Sequence, residues 1–351
     1  MKILFIASKL VKKGGISSFN KNLIRALKEN GESLSLVELE NSNLSRKIIF
    51  TLKIMFKILL FGPDIIFCSH INFSSICYFL KKIFKKDYII ITHGIDVWDI
   101  KDGFKAKALK MANKVVAVSN FTKNKIIKNI NELEEKIFIL PNSIDKNEFL
   151  IKEKPIYLME KYNIKKNDGV ILTLARLSNS EKYKGYDKII EILPDIKEKF
   201  PNIKYILAGT GDDEGRIKKI ISELNLNSSV IMPGYLSDEE KADFFNLCDV
   251  FAMPSKGEGF GIVFLEALAC GKPVIAGNKD ASSEPLLGGE LGILIDPDDK
   301  DEITKAIIGI LKKKAPARFF NGRFLREKVI ENFGFEKFKE ETKNLIYELS
   351  R

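Results

Sequence analysis

Short runs that are apolar at nearly every position alternate along this chain with longer runs that are apolar only at every third or fourth position. KILFIA, DIIFCS, YIIIT, KVVAVS and IFILP in the first 141 residues are short and rich in β-branched side chains, and they predict strands. FNKNLIRALKEN and the segment from Phe104 to Ala112 have helical spacing. Such alternation predicts a parallel sheet with helices on both faces. The pattern breaks off in the polar, irregular stretch SIDKNEFLIKEKPIYLMEKYNI, which could be a linker. It resumes with VILTLAR, IKYILAG, VIMPG, VFAMPS and PVIAG, again interleaved with helical segments. The expected organisation is α/β: two Rossmann-like domains over 1–152 and 153–334, then an amphipathic helix over 335–351 expected to pack back on the first domain. No short-period repeat or low-complexity segment is visible.

One segment does not fit the alternation. RKIIFTLKIMFKILLF, residues 46–61, is apolar on nearly every side except for a stripe of Arg46, Lys53 and Lys57. Such a helix could lie on an anionic bilayer. It could also be a core helix whose lysine stems reach back to water. Most apolar helices in soluble proteins are buried, so the core or domain-packing reading is the expectation.

Composition narrows the classes. At 351 residues the chain is long for one domain and suits two. Its 45% hydrophobic and 30% charged residues describe a globular protein with real cores. Cys68, Cys77, Cys248 and Cys270 form no CxxC pair, which argues against structural zinc and for a reducing compartment. His70 and His93 are too few for a histidine-based metal centre. No stretch reaches the roughly 20 apolar residues of a membrane span, and MKILFIAS is a first strand rather than a leader. The net charge of +10 is one-sided. Residues 1–150 hold 25 Lys and Arg against 14 Asp and Glu; the rest hold 32 against 33. A basic half favours an anionic partner, although a generally lysine-rich surface would look the same.

Several motifs carry candidate chemistry. Gly14-Gly15 follows the first strand and precedes a helix, where glycine lets a diphosphate approach the backbone and the helix start offers N–H groups. A glycine pair there is also an ordinary turn. A dinucleotide-binding dehydrogenase would want G-x-G-x-x-G here; Glu38 or Glu40 would pass for its acid, but the glycines do not match. His93 ends a predicted strand beside Gly94, and strand ends in open parallel sheets face the ligand crevice. PSKGEGFGIVFLEALACGKPVIA, residues 254–276, places Glu258 in a glycine-rich loop and Glu266 about two turns into an apolar helix. Two carboxylates beside a helix start suit a phosphate together with sugar hydroxyls. A solvated Glu258 and an exposed helical Glu266 would be the plainer reading, but it leaves Glu266 unexplained within VFLEALA.

The run EGFGIVFLEALACGKPVIA resembles the E-x7-E signature of the retaining GT-B glycosyltransferases of family four. KGGISSF, THG, VAVSNFTKN, LPNSID, LARLSNSEKYKGYDKIIE, LAGTGDDEGRIK and IMPGYLSDEE resemble other segments of that family in the same order, covering about residues 1–300. The resemblance implies a GT-B fold, with two Rossmann-like domains facing a central cleft. It implies that Arg176 and Lys184 neutralise the diphosphate leaving group, a role that fixed cations suit. Glu266 would bind the ribose hydroxyls and Glu258 the transferred sugar. Backbone groups of Phe260, Gly261 and Ile262 would hold sugar and phosphates, and Tyr235 and Leu236 would line the base pocket. Gly14 and Gly15 would complete the diphosphate site, and His93 would orient the sugar. Ser143 stands where the family has the glycine of P-N-G-I-D, which would strain that loop if the position needs a positive φ.

What the resemblance implies is transfer of a hexose-type sugar from a nucleotide diphosphate, UDP by expectation, to a glycan or lipid-linked acceptor for cell-surface polysaccharide or glycoconjugate synthesis. Attack and departure share one face, and the departing phosphate oxygen takes the proton. No metal or other cofactor is expected, since Arg176 and Lys184 stand in for a cation. The expected location is the cytoplasm, with peripheral attachment at the inner membrane face as the option the basic half leaves open, and with no nucleic-acid partner. A UDP-sugar 2-epimerase or hydrolase on the same architecture, and a non-catalytic nucleotide-sugar binder, are the alternatives. An epimerase would want more acid/base groups near the sugar than His93 and Glu258.

Overall fold

The computed structural model of the protein describes residues 1–10, 14–41 and 43–350; part of the expected glycine loop, residues 11–13, therefore lies outside the described residues. The chain folds into two units. The first comprises Met1–Ser143 and Phe335–Arg351, and the second Ile144–Gly334. The changeover at Ser143 comes ahead of the expected 152, because the irregular stretch that follows is folded into the second unit.

In the first unit the elements are β1 (Lys2–Ser8), α1 (Gly15–Glu29), β2 (Ser33–Leu39), α2 (Leu44–Phe61), β3 (Ile65–Cys68), α3 (Ser74–Phe84), β4 (Asp87–Thr92), α4 (Ile95–Trp98), α5 (Gly103–Met111), β5 (Lys114–Ala117), α6 (Asn120–Asn129) and β6 (Ile137–Ile139). The sheet is parallel throughout, in the order β2-β1-β3-β4-β5-β6. Ile3 to Ala7 of β1 are all fully buried, as an inner strand covered on both faces requires. Strand β2 was missed in the sequence reading. It is an edge strand, and polar Ser33, Ser35 and Glu38 break the continuous apolar run.

The second unit contains α7 (Ile156–Lys161), β7 (Val170–Leu174), α8 (Tyr186–Lys199), β8 (Lys204–Ala208), α9 (Glu214–Glu223), β9 (Val230–Gly234), α10 (Asp238–Leu247), β10 (Val250–Met253), α11 (Ile262–Ala269), β11 (Val274–Gly277), β12 (Ile293–Ile295), α12 (Lys300–Leu311) and α13 (Gly322–Phe333). Its sheet is also parallel, in the order β12-β11-β10-β7-β8-β9. The chain starts at β7, builds outward to β9, then returns to the other side of β7 with β10. Strands β7 and β10 therefore pair directly while their connections leave in opposite directions, which opens a crevice beyond their carboxyl ends. In the first unit the same reversal falls between β1 and β3.

The last helix, α14 (Phe335–Leu349), belongs to the first unit. Its Phe338 meets Phe19 of α1 edge-on at 5.6 Å, and Arg25 of α1 lies over the Phe335 ring at 3.8 Å. Asn30 donates to the Lys339 carbonyl at 3.0 Å. Ser143 is not among the residues with positive φ, so the expected strain does not arise. Its buried hydroxyl instead accepts from the Asn22 amide at 3.0 Å, a bond no glycine could make.

Helix α2 departs from the core reading. Only Phe50, Ile54 and Ile58, one stripe at i, i+4, i+8, are buried against the sheet. Leu44, Leu59 and Leu60 are 70% exposed or more. A helix that is apolar all round has no pattern to say which side meets protein, so burial was the wrong default here. Truncation separates the faces. Ile54→Ala should cost about 2–5 kcal/mol in denaturant unfolding and Leu59→Ala less than about 0.5 kcal/mol. Equal losses would contradict this orientation.

Candidate functional site

The reversal point of the second sheet gathers two loops. One leaves β7 and carries Arg176 to Lys184; the other leaves β10 and carries Glu258, Phe260 and Gly261. Gly261 caps α11 with φ +88°, and a Cβ there would come within 2.5 Å of the Phe264 ring. Only glycine turns the chain at that point, which sets Ile262 as the first helical residue. The Phe264 N–H turns back to the Gly261 carbonyl at 3.1 Å, and the N–H groups of Ile262 and Val263 precede the intrahelical ladder, so this end suits an anion. Phe260 is buried and packs edge-on against Phe333 at 5.5 Å.

The charged side chains of the two loops form one chain. Arg176 pairs with Glu181 at 2.8 Å, Glu181 faces Lys184 at 3.7 Å, and Lys184 pairs with Glu258 at 2.7 Å. Lys184 and Glu258 are largely enclosed, while the Arg176 side chain is 67% exposed. Burial works against the Lys184 charge, but Glu258 and Glu181 together with Tyr183 outweigh it and hold the ammonium above the usual lysine range. The structure thus brings Arg176, Lys184 and Glu258 together, with Lys184 bound to the very carboxylate expected to face the sugar. Glu181 was missed because its partners are assigned by the fold of a loop. Asp280 was missed too: it accepts from the Glu258 N–H at 2.6 Å and the Ser282 N–H at 2.9 Å, clamping the glycine-rich loop.

Glu266 is buried on α11 rather than exposed. Lys241 lies 3.8 Å from one carboxylate oxygen, and the other has no hydrogen-bond partner. Burial pushes its pKa from 4.5 up to about 7, with Lys241 pulling the other way. A buried acceptor left open is costly, and it is satisfied by any ligand that brings hydroxyl donors. Leu236 is buried and Tyr235 half exposed, just ahead of α10, which supplies Lys241.

The remaining expected residues belong to the first unit. Gly14, with φ +130°, precedes α1, whose first residue is Gly15. His93 follows β4 directly, and its ring Nε2 lies 2.8 Å from the Ser69 carbonyl. A carbonyl only accepts, so the neutral ring carries its hydrogen on Nε2 and leaves Nδ1 as a lone-pair acceptor. Burial lowers its pKa to about 4, which keeps it neutral. Two partners were not anticipated. His70 stacks on His93 at 5.8 Å, and its Nδ1 accepts from the Asn72 N–H at 3.1 Å. Asp96 accepts from the His93 N–H through one oxygen at 3.0 Å, while the other is buried without a hydrogen bond, 3.8 Å from His70 Nε2. Burial raises the Asp96 pKa to about 7. Among the described residues, no group of three or more His, Cys, Asp or Glu is placed to hold a metal ion.

Comparison with known proteins agrees with this architecture. The family model described as "Glycosyl transferases group 1" matches residues 157–332, and that described as "Glycosyltransferase Family 4" matches residues 37–148. A GDP-mannose-dependent alpha-(1-6)-phosphatidylinositol monomannoside mannosyltransferase of Mycolicibacterium smegmatis is 28% identical over 246 residues. That match spans 66% of this chain and 63% of the relative, under two thirds of the relative's length. Among solved structures, sucrose-phosphate synthase from Thermosynechococcus elongatus superposes with a TM-score of 0.83 at 19% identity, covering 99% of this chain and 98% of that one. Anabaena HepE in complex with UDP-glucose gives 0.81 at 19% identity, covering 99% of each. At that identity the two structures speak for the fold alone. The chain belongs to the group 1 glycosyl transferases and is a glycosyltransferase of GT-B fold.

Proposed function

We propose that this enzyme moves a mannose-type sugar from a GDP-linked donor to a lipid-linked or otherwise anionic glycan acceptor, with retention of anomeric configuration. The observation that carries the reading is the chain Arg176–Glu181–Lys184–Glu258 at the reversal point of the second sheet. Its two cations and two carboxylates cancel. A nucleotide diphosphate would take Lys184 and Arg176 from their carboxylates and free Glu258 for the sugar hydroxyls. The acceptor hydroxyl attacks the anomeric carbon as the carbon–phosphate-oxygen bond breaks. Its proton passes to the departing phosphate oxygen, whose charge the two cations stabilise. Gly15 and His93 of the first unit are proposed to assist, His93 through its Nδ1 lone pair. The earlier expectation of UDP gives way to GDP because the mycobacterial relative is described as GDP-mannose-dependent. The basic first half is the reason for choosing an anionic acceptor.

Arg176 is exposed and its removal leaves no core cavity. Arg176→Ala should therefore lower GDP release from GDP-mannose, with vesicles containing phosphatidylinositol monomannoside as acceptor, by about 100-fold or more while the melting curve stays put. Near-wild-type turnover would sink the leaving-group role.

Glu266 gives a pH signature. A carboxylate accepts from both ribose hydroxyls only when ionised, and its folded pKa of about 7 lies above its ordinary 4.5. Because the fold holds the proton more tightly than the unfolded chain, this group's contribution to stability falls as pH rises from about 4.5 to about 7. Nucleotide affinity should move the opposite way, increasing as pH rises through about 7 with release of a proton. Glu266→Gln should lose about tenfold or more in GDP affinity by calorimetry, together with that pH dependence. A variant with the wild-type pH profile would show that Glu266 does not meet the ribose.

A further inference from the structure

The outward face of α2 has no counterpart in the glycosyl-transfer machinery. At 100° per residue, Leu44, Ile48, Leu52, Phe56, Leu59 and Leu60 fall within an arc of about 160° on the side opposite the buried stripe of Phe50, Ile54 and Ile58. All six are more than half exposed. Arg46, Lys53 and Lys57 fall within about 40° of one another along one edge of that arc. Arg46 is tied to Glu40 at 2.8 Å; Lys53 and Lys57 have no acidic partner among the described residues.

The face continues onto its neighbours. Helices α2 and α3 cover the same side of the sheet, sharing one apolar core through Phe50 and Phe73, whose rings lie 5.4 Å apart. On α3, Phe79 and Ile83 stand one turn apart and more than half exposed. Phe79 leans on Phe104 of α5 at 5.5 Å. Helices α2, α3 and α5 contain four, two and three Lys or Arg residues and not one Asp or Glu. Of these basic residues, Lys81 and Lys110 are offset by Asp87 and Glu132 beside them, which leaves a net cationic layer around an apolar centre.

We propose that the α2–α3–α5 face is a membrane-docking surface that seats the first unit on an anionic lipid leaflet. With α2 parallel to the surface, its apolar arc reaches the acyl boundary and the flanking lysines meet lipid phosphates. The helix lies on the bilayer rather than crossing it, because none of the described helices is long and apolar enough to span one. Charge favours this occupant over a second copy of the chain: a two-fold contact would set two net-positive layers against each other, each with Lys53 and Lys57 lacking an acidic partner among the described residues. The inference extends the anionic-acceptor reading, but it is read out in binding, without donor or acceptor.

The test is cosedimentation of the full chain with phosphatidylcholine vesicles, with and without phosphatidylglycerol. Wild type should bind the anionic vesicles and prefer them to pure phosphatidylcholine. Phe56→Asp with Leu59→Asp should weaken binding at least about tenfold with an unchanged melting curve, since both positions are exposed. Lys53→Glu with Lys57→Glu should abolish the anionic preference. As an independent readout, Leu59→Trp should shift its emission to the blue when anionic vesicles are added. Wild type that fails to bind, or a Phe56→Asp, Leu59→Asp variant that binds equally well, overturns the proposal. So does a wild-type dimer in sedimentation velocity that the same variant dissociates, because the face is then an interface between copies. Loss of sugar transfer with vesicle binding intact would count against the donor reading alone.

Discussion

The Lys184–Glu258 pair, at 2.7 Å and largely shut off from water, is the contact on which the second unit's site depends. It joins the loop after β7 to the loop after β10, the two that flank the sheet's reversal point. Enclosed charges are costly to leave alone, so each member constrains the other's loop. Lys184 is followed by Gly185, which lies against Pro254 so closely that a Cβ would sit 2.4 Å from the proline carbonyl oxygen. Asp280 fixes Glu258 from the opposite side through its N–H. The result is a cation preset at a helix start but occupied by an internal carboxylate. On the proposed reading a diphosphate would displace that carboxylate by adding its own contacts with Arg176 and the α11 amides, which would make the site selective for a doubly charged linkage over a single phosphate.

The first unit is organised around polar groups of a different kind. His93, His70 and Asp96 follow β4 and β3, next to the reversal point of their own sheet. Burial holds both imidazoles neutral and keeps Asp96 poised near neutrality. The Ser69 carbonyl fixes the His93 tautomer, so that ring offers a lone pair rather than a proton. The half of the molecule with the larger positive charge thus places neutral, hydrogen-bonding groups where its sheet opens, and carries its charge on the surface helices.

The inner strands were legible because both faces are covered. Ile3 to Ala7, or Val250 to Met253, are buried at every position and read as unbroken apolar runs. Edge strands β2 and β12 were not: polar Ser33, Ser35 and Glu38 interrupt the first, and the second is a short ILI between Gly292 and Asp296. The glycine-rich Glu258 loop and the apolar setting of Glu266 were visible as local patterns. Glu181, Asp280, His70 and Asp96 were not, because nothing local distinguishes them and their meaning comes from contacts that the topology makes. Lys184 and Glu258 are 74 residues apart, and only the β7–β10 pairing brings them together. Helix α2 was misjudged for a thermodynamic reason: sequence reports how apolar a helix is, and only packing reports how much of that surface the protein itself covers.

Calorimetric melting of the full chain with saturating GDP, UDP or ADP probes the Lys184–Glu258 site without needing an acceptor, because a ligand that binds only the folded state raises the melting temperature in proportion to its binding free energy. The melting temperature should increase by several degrees with at least one diphosphate, most with GDP, and much less when Lys184 is changed to Met. No shift with any of the three, or an equal shift in the Lys184→Met variant, would contradict a nucleotide-diphosphate site built on the Lys184–Glu258 pair.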